Sequence, residues 1–252
     1  MLLAIDVGNT QTVFGLFDGA ELTEQWRIAT EAHRTGDELG VFLHGFLADA
    51  EPEGIVLSST VPRLIQAYGE LAERMGVELL AMGPGVRTGI PVRYDDPREV
   101  GPDRIANAIA AKERYGAPCI VVDFGTSTNF DVVSAAGEYV GGVLAPGIEI
   151  SMDALFARAA RLFKVDYVEP PTVIAKNTAN ALQSGLVYGF AGQVDAIVTR
   201  IRAELGAPDA PVVATGGLAE LIAPHASTVG RVDPWLTLEG LRLVWLRNRD
   251  DA

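Results

Sequence analysis

The sequence predicts an α/β protein of two similar lobes around a cleft, and three observations carry that prediction. A signature occurs twice: the apolar run Leu2–Ile5 ends in Asp6-Val7-Gly8-Asn9-Thr10, and Cys119–Val122 ends in Asp123-Phe124-Gly125-Thr126-Ser127-Thr128. Each copy then re-enters an apolar stretch, Val13–Phe17 or Phe130–Val133, so each reads as a β-hairpin with a carboxylate at its mouth. Strand and helix patterns of the same order follow each hairpin, and Gly116–Pro118 separates the halves. The expected lobes are therefore residues 1–116 and 117–252.

In the first half, Glu21–Ile28 suits a third strand. Asp37–Leu47 suits a helix with apolar residues at Leu39, Val41, Phe42 and Phe46. Gly54–Ser59 reads as a strand that enters the Thr60-Val61-Pro62 turn. Pro62–Met75 reads as a helix with proline in its first turn. Val77–Met82 is a strand, Gly83–Tyr94 a Gly- and Pro-rich loop, and Pro102–Tyr115 a helix ended by Gly116 and Pro118. In the second half, Gly137–Leu144 is a strand and Ser151 is expected to cap a helix that runs to about Phe163. Thr178–Leu205 is a long helix with small residues at Ala181, Ser184, Gly185, Gly189 and Gly192. Gly185, Gly189 and Gly192 are costly in a helix unless a neighbour packs closely, either within the lobe or across a dimer. Val212–Ala214 is a strand, Gly216-Gly217 opens a short helix over Leu218–Ala223, and a last helix starts near Thr237 or Leu238 and runs to the C-terminal tail.

Composition narrows the function. A formal charge of −13 over 252 residues argues against nucleic acid and against anionic membranes as partners. No apolar stretch approaches the ~20 residues that span a bilayer. Asp6 interrupts the opening apolar run too early for a signal peptide. Cys119, the single cysteine, lies in an apolar strand and reads as a core residue, so no internal disulfide forms and a cytoplasmic location is expected. His33, His44 and His225 are scattered and build no zinc site. A P-loop and a Gly-x-Ser-x-Gly elbow are both missing from the sequence. Gly83–Gly89 has its third glycine one place late for a dinucleotide loop and no helix after it.

The hairpins carry the chemistry. Glycine lets backbone N–H groups approach a phosphate, and successive N–H groups form an anion-binding nest. The aspartates Asp6 and Asp123 can hold a cation beside it. Two such hairpins facing each other would clamp a polyphosphate. Gly216-Gly217 lets a flat ring lie against bare backbone. Gly101-Pro102-Asp103-Arg104 opens a helix; Asp103 there can take a proton from an attacking hydroxyl, and Arg104 can orient a carboxylate or amide. Asn177 or Thr178 is the cap of the long helix.

These segments together resemble the type III pantothenate kinases, over nearly the whole chain. The matching motifs are Asp6–Thr10, Ser58-Ser59-Thr60-Val61-Pro62, Tyr94-Asp95-Asp96-Pro97 leading to Gly101–Arg104, and Asp123–Thr126. They continue through Gly141-Gly142, Ala145-Pro146-Gly147, Lys176-Asn177-Thr178, Thr215–Ala219 and Leu236-Thr237-Leu238-Glu239-Gly240-Leu241. The resemblance implies two ribonuclease H-like lobes of the actin, Hsp70 and sugar kinase class around a nucleotide cleft. It implies ATP-dependent phosphorylation of pantothenate to 4'-phosphopantothenate, the first step toward coenzyme A. It further implies a homodimer, Mg²⁺ with ATP, and K⁺ or NH₄⁺. By position, Asp6, Val7, Gly8, Asn9, Thr10, Gln11, Thr12, Val13 and Thr126 would bind ATP, with Gly216 and Gly217 at the adenosine. Asp103 would be the proton acceptor. Tyr94, Gly101, Pro102, Asp103 and Arg104 would line the pantothenate site, and Thr178 would reach it from the partner subunit. Asp123 would hold the monovalent cation. Ser127 and Asn129 stand where the family usually has alanine and threonine, which bears on cation preference. The competing reading is a non-catalytic accessory protein of the same fold that acts by binding another protein.

Overall fold

The computed structural model describes residues 1–159 and 162–249. In chain order the elements are β1 (Leu2–Val7), β2 (Gln11–Asp18), β3 (Glu21–Ala29), α1 (Gly36–Leu47), β4 (Gly54–Ser59), α2 (Pro62–Met75), β5 (Glu78–Ala81), α3 (Pro102–Tyr115), β6 (Cys119–Phe124), β7 (Ser127–Val133) and β8 (Tyr139–Pro146). They continue with α4 (Ile148–Arg158), α5 (Thr178–Leu205), β9 (Val212–Thr215), α6 (Ala219–Ile222), β10 (Arg231–Val232) and α7 (Leu236–Arg249). Contacts divide the chain into two units, Met1–Ala110 with Leu236–Ala252, and Ala111–Trp235. The division falls inside α3 rather than after residue 116, and the C-terminal helix belongs with the first unit rather than the second. The physical reason is burial: α7 places Leu238 against Gly15 and Trp245 against Gly54 on the first sheet.

The first unit holds a sheet of order β3-β2-β1-β4-β5. β1 pairs antiparallel with β2 and parallel with β4. Alternation sends Leu3, Ile5, Val7, Ile55 and Leu57 to one face, where Leu39 and Leu43 of α1 and Leu64, Tyr68 and Leu71 of α2 cover them. Thr35 and Glu38 form a capping box that starts α1. The buried stripe of α1 is Leu39, Leu43 and Leu47, whereas Val41 faces outward. The opposite sheet face receives α7. Glycines at Gly15 and Gly54 make that contact possible: a Cβ on Gly54 would lie 3.0 Å or less from the Trp245 ring.

The second unit repeats the plan with the order β8-β7-β6-β9-β10. Its core packs Ile120, Val122, Phe124 and Phe130 against α4, α5 and α6. Gly116, at φ +82°, ends α3 in the left-handed conformation that glycine tolerates. Cys119 is fully buried, and burial pushes its thiol up to about 12, so it is a core residue and no nucleophile at neutral pH.

One expectation changes and two are narrowed. Helix α4 begins at Ile148 with Gly147 as its N-cap, and Ser151 sits inside the first turn, donating to the Gly147 carbonyl at 2.8 Å. It ends at Arg158, and residues 160–161 of the expected extension lie outside the described residues, as do 250–252 of the C-terminal tail. The cap of α5 is Asn177, whose side chain accepts from the Asn180 N–H at 2.8 Å. Finally, Gly185, Gly189 and Gly192 lie exposed on α5, and among the described residues nothing comes within 4 Å of their Cβ positions. Among the described residues no helix is long and apolar enough to cross a membrane.

Candidate active site

Each unit carries one aspartate hairpin built the same way. In the first, Asp6 ends the apolar part of β1 and pairs in register with Val13 of β2 and Ser58 of β4. The Gly8 N–H donates to the Gln11 carbonyl at 3.0 Å, which closes the turn and leaves Asn9 and Thr10 exposed at its tip. Val7 and Thr12 are buried, Gln11 is exposed, and the Thr12 hydroxyl lies 2.9 Å from that of Thr30. The turn thus offers backbone and hydroxyl groups to a phosphate while Thr12 ties the strand to its neighbour.

In the second unit Asp123 pairs with Asn129 of β7 and Thr215 of β9. The Gly125 N–H donates to the Ser127 carbonyl at 3.1 Å, leaving Gly125 and Thr126 exposed. The Ser127 hydroxyl donates to the Asn129 side-chain oxygen at 2.7 Å, so these two residues form one paired unit. Gly216 follows β9 at φ +93°, and a Cβ there would meet the Asp123 carboxylate at 2.5 Å and the Phe124 N at 2.7 Å. Only glycine lets this strand end lie flat on the hairpin. A Cβ on Gly147 would meet the Gly125 carbonyl at 2.6 Å, so the start of α4 braces the same turn. Asp123, Thr126, Gly216 and the turn are therefore assembled together, with Gly217 next in the chain.

In the first unit the Gly101-Pro102-Asp103-Arg104 segment forms the start of α3. The Asp103 carboxylate folds back over Gly101, where a Cβ would collide with it. Burial lifts the Asp103 carboxyl above the usual aspartate range, against the lowering effect of the Arg104 and Asp103 backbone N–H groups and the Arg104 charge. A carboxylate made more basic in this way, at a helix start, suits a general base. Arg104 is buried, and Tyr94 is half-buried in the preceding loop. Thr178 lies in the second unit, exposed as the first residue of α5.

Two features of the site were not assigned from the motifs. Gly240 of α7 packs against the Ala106 backbone of α3, one turn beyond Asp103, with a Cβ position 2.8 Å from the Ala106 Cα and closer still to its carbonyl. Beside it the Thr237 hydroxyl donates to the fully buried Asn107 side chain at 2.7 Å. The signal was an unexplained glycine within an apolar helical repeat. The other is Ser58, in register with Asp6.

Among the described residues no group of three or more His, Cys, Asp or Glu could hold a metal ion. Single carboxylates beside glycine turns suit Mg²⁺, which keeps its waters and shares its coordination with substrate phosphates rather than sitting in a protein cage.

Asp–Gly hairpins on two like five-stranded sheets define a fold of the actin, Hsp70 and sugar kinase class. The solved structures agree on the fold. A ROK hexokinase from Thermus thermophilus matches with a TM-score of 0.52 at 15% identity over 98% of this chain and 99% of that one. A Campylobacter jejuni protein assigned to the Baf family of transcriptional activators matches at 0.64 and 19%, with the same coverage, which likewise speaks only to the fold. The family model described as type III pantothenate kinase matches residues 2–200. The type III pantothenate kinase of Moorella thermoacetica is 54% identical over 98% of this chain and all of its own length. The chain belongs to the type III pantothenate kinase family.

Proposed function

We propose that this protein transfers the γ-phosphoryl group of ATP to the primary hydroxyl of pantothenate, giving 4'-phosphopantothenate and ADP at the entry to coenzyme A synthesis. The observation that carries the reading is Asp103, a carboxyl made more basic by burial at the start of α3, within a chain of this family. Its carboxylate accepts the hydroxyl proton as the oxygen bonds to the γ-phosphorus and the bridging bond to ADP breaks. Arg104 orients the pantothenate carboxylate or amide, with Tyr94, Gly101 and Pro102 lining the same pocket. Asp6 to Val13, Thr126, Gly216 and Gly217 bind ATP through turn N–H groups, hydroxyls and bare glycine backbone. Mg²⁺ carried in with ATP would neutralise charge that develops on the phosphates. Asp123 takes a monovalent cation, K⁺ or NH₄⁺.

The active unit is a homodimer, and Thr178 completes the partner's pantothenate site. The open glycine face of α5 and the exposed Ile174 just before it, 85% accessible, support that reading. The enzyme works in the cytoplasm, a setting that suits its single buried thiol.

The test is product formation. Purified protein with ATP, Mg²⁺, K⁺ and pantothenate should yield phosphopantothenate by mass spectrometry and ADP in equal amount. ATP hydrolysis without phosphopantothenate, or no turnover at all, would overturn the assignment. Full activity with Na⁺ as the only monovalent cation would remove Asp123 from its role.

A further inference from the structure

Ser58 is 1% exposed, and its hydroxyl oxygen is buried without a hydrogen-bond partner. The next residue shows the contrast: the Ser59 hydroxyl accepts from the Val61 N–H at 3.0 Å and shapes the entry to α2. A buried, unpaired hydroxyl is less favourable than an alanine methyl in the same space, so stability alone favours alanine at position 58. Such groups persist where a ligand or a moving neighbour uses them.

Register identifies the neighbour. Ser58 of β4 lies directly beside Asp6 of β1 in a parallel pair. Laterally paired residues point to the same sheet face, and adjacent strands are about 4.8 Å apart, within reach of a hydrogen bond between serine and aspartate side chains. The second unit repeats the arrangement, with buried Thr215 of β9 paired in parallel beside Asp123 of β6. A hydroxyl residue thus flanks the hairpin aspartate at the equivalent position of both sheets. We propose that Ser58 is a positioning residue of the nucleotide site: its hydroxyl, unbonded in the ligand-free protein, turns to donate to the Asp6 carboxylate when the nucleotide binds and holds it in the orientation that takes the ATP-bound cation. This rests on the reading of Asp6 as a nucleotide-site residue.

The experiment compares Ser58→Ala and Ser58→Cys with the wild type by calorimetric binding of ATP, with Mg²⁺ and with EDTA, and by the melting temperature of the ligand-free protein. Loss of the hydroxyl should leave the ligand-free melting temperature equal or higher. It should weaken Mg²⁺-ATP binding about tenfold and leave ATP binding in EDTA unchanged. The cysteine variant, close in size but a weak donor, should follow alanine. Wild-type affinity for Mg²⁺-ATP in both variants overturns the proposal, as does an equal loss with and without the metal. If the wild type itself fails to bind Mg²⁺-ATP, the nucleotide-site reading falls and takes this inference with it; a failure confined to Ser58 leaves wild-type binding and turnover intact.

Discussion

Gly240→Ala tests whether the base is held in place by a contact between helices. A Cβ on Gly240 would sit 2.8 Å from the Ala106 Cα and closer to its carbonyl. Carbon atoms in good contact are ~3.5–4.0 Å apart, so α3 and α7 must separate by on the order of 1 Å. No side chain can swing aside, because the obstacle is backbone. Overpacking of this kind costs ~1–3 kcal/mol, partly offset by the ~0.8–1 kcal/mol that alanine gains over glycine within a helix. The protein should therefore remain folded. Asp103 lies three residues before Ala106, about 4.5 Å along α3, and moves with it. A 1 Å misplacement of a catalytic group lowers turnover by ~10²-fold, about 2.7 kcal/mol of barrier. Steady-state kinetics with pantothenate and ATP should show that loss mainly in kcat, while urea denaturation reports the much smaller change in stability. Gly45→Ala is the control: Gly45 is exposed in α1 with nothing near its Cβ position, so stability should rise by ~0.5–1 kcal/mol with unchanged kcat. A folded Gly240→Ala protein with wild-type kcat would refute the positioning role of α7.

Asp103→Asn should lower kcat by about 10²–10⁴, and near-normal turnover would remove Asp103 as the base. Because burial raises its pKa, the acid limb of kcat/KM should lie above the ordinary aspartate value; the ionised form is also the one disfavoured in the fold, so the same variant should melt higher than wild type at pH 7–8. Asp195 of α5 accepts four hydrogen bonds from Ser227 and Thr228, between 2.7 and 3.0 Å. Burial opposes its charge, but these donors outweigh that and lower its pKa, so Asp195→Ala should cost about 1–3 kcal/mol at pH 7 by urea denaturation. That difference should shrink as pH falls below about 4, and a pH-independent difference would contradict the charge-based account. Mixing Asp103→Asn with Thr178→Ala subunits should restore part of the activity, since one heterodimer site retains both residues. No recovery despite demonstrated subunit exchange would end the shared-site model.

The hairpins, α2, α3 and α5 were legible because their signals are local. Apolar runs stop at Asp–Gly turns, Pro62 and Pro102 open α2 and α3, and Gly76, Gly116 and Gly206 close α2, α3 and α5 in the left-handed conformation. β10 escaped detection because two residues, Arg231 and Val232, carry no periodicity and become a strand only beside β9. Ser151 looked like a cap because serine favours that position, yet Gly147, pressed against the hairpin turn, starts α4 one turn earlier. The glycines of α5 left two packing partners open, and among the described residues of the unit nothing comes within 4 Å of their Cβ positions.

By itself the sequence determined the duplicated strand–Asp–Gly pattern, the helix start that holds Asp103 and the resemblance to a kinase family, because turn chemistry, capping and periodicity act over a few residues. Only the tertiary structure decided that α7 returns to the first sheet, that Gly240 and Gly216 are sites of backbone contact, that Asp103 is made more basic, and that Ser58 stands beside Asp6 with its hydroxyl unused. Those properties depend on which atoms exclude water from a side chain and which strands share a register. They arise between residues far apart in the chain, where local pattern carries no information.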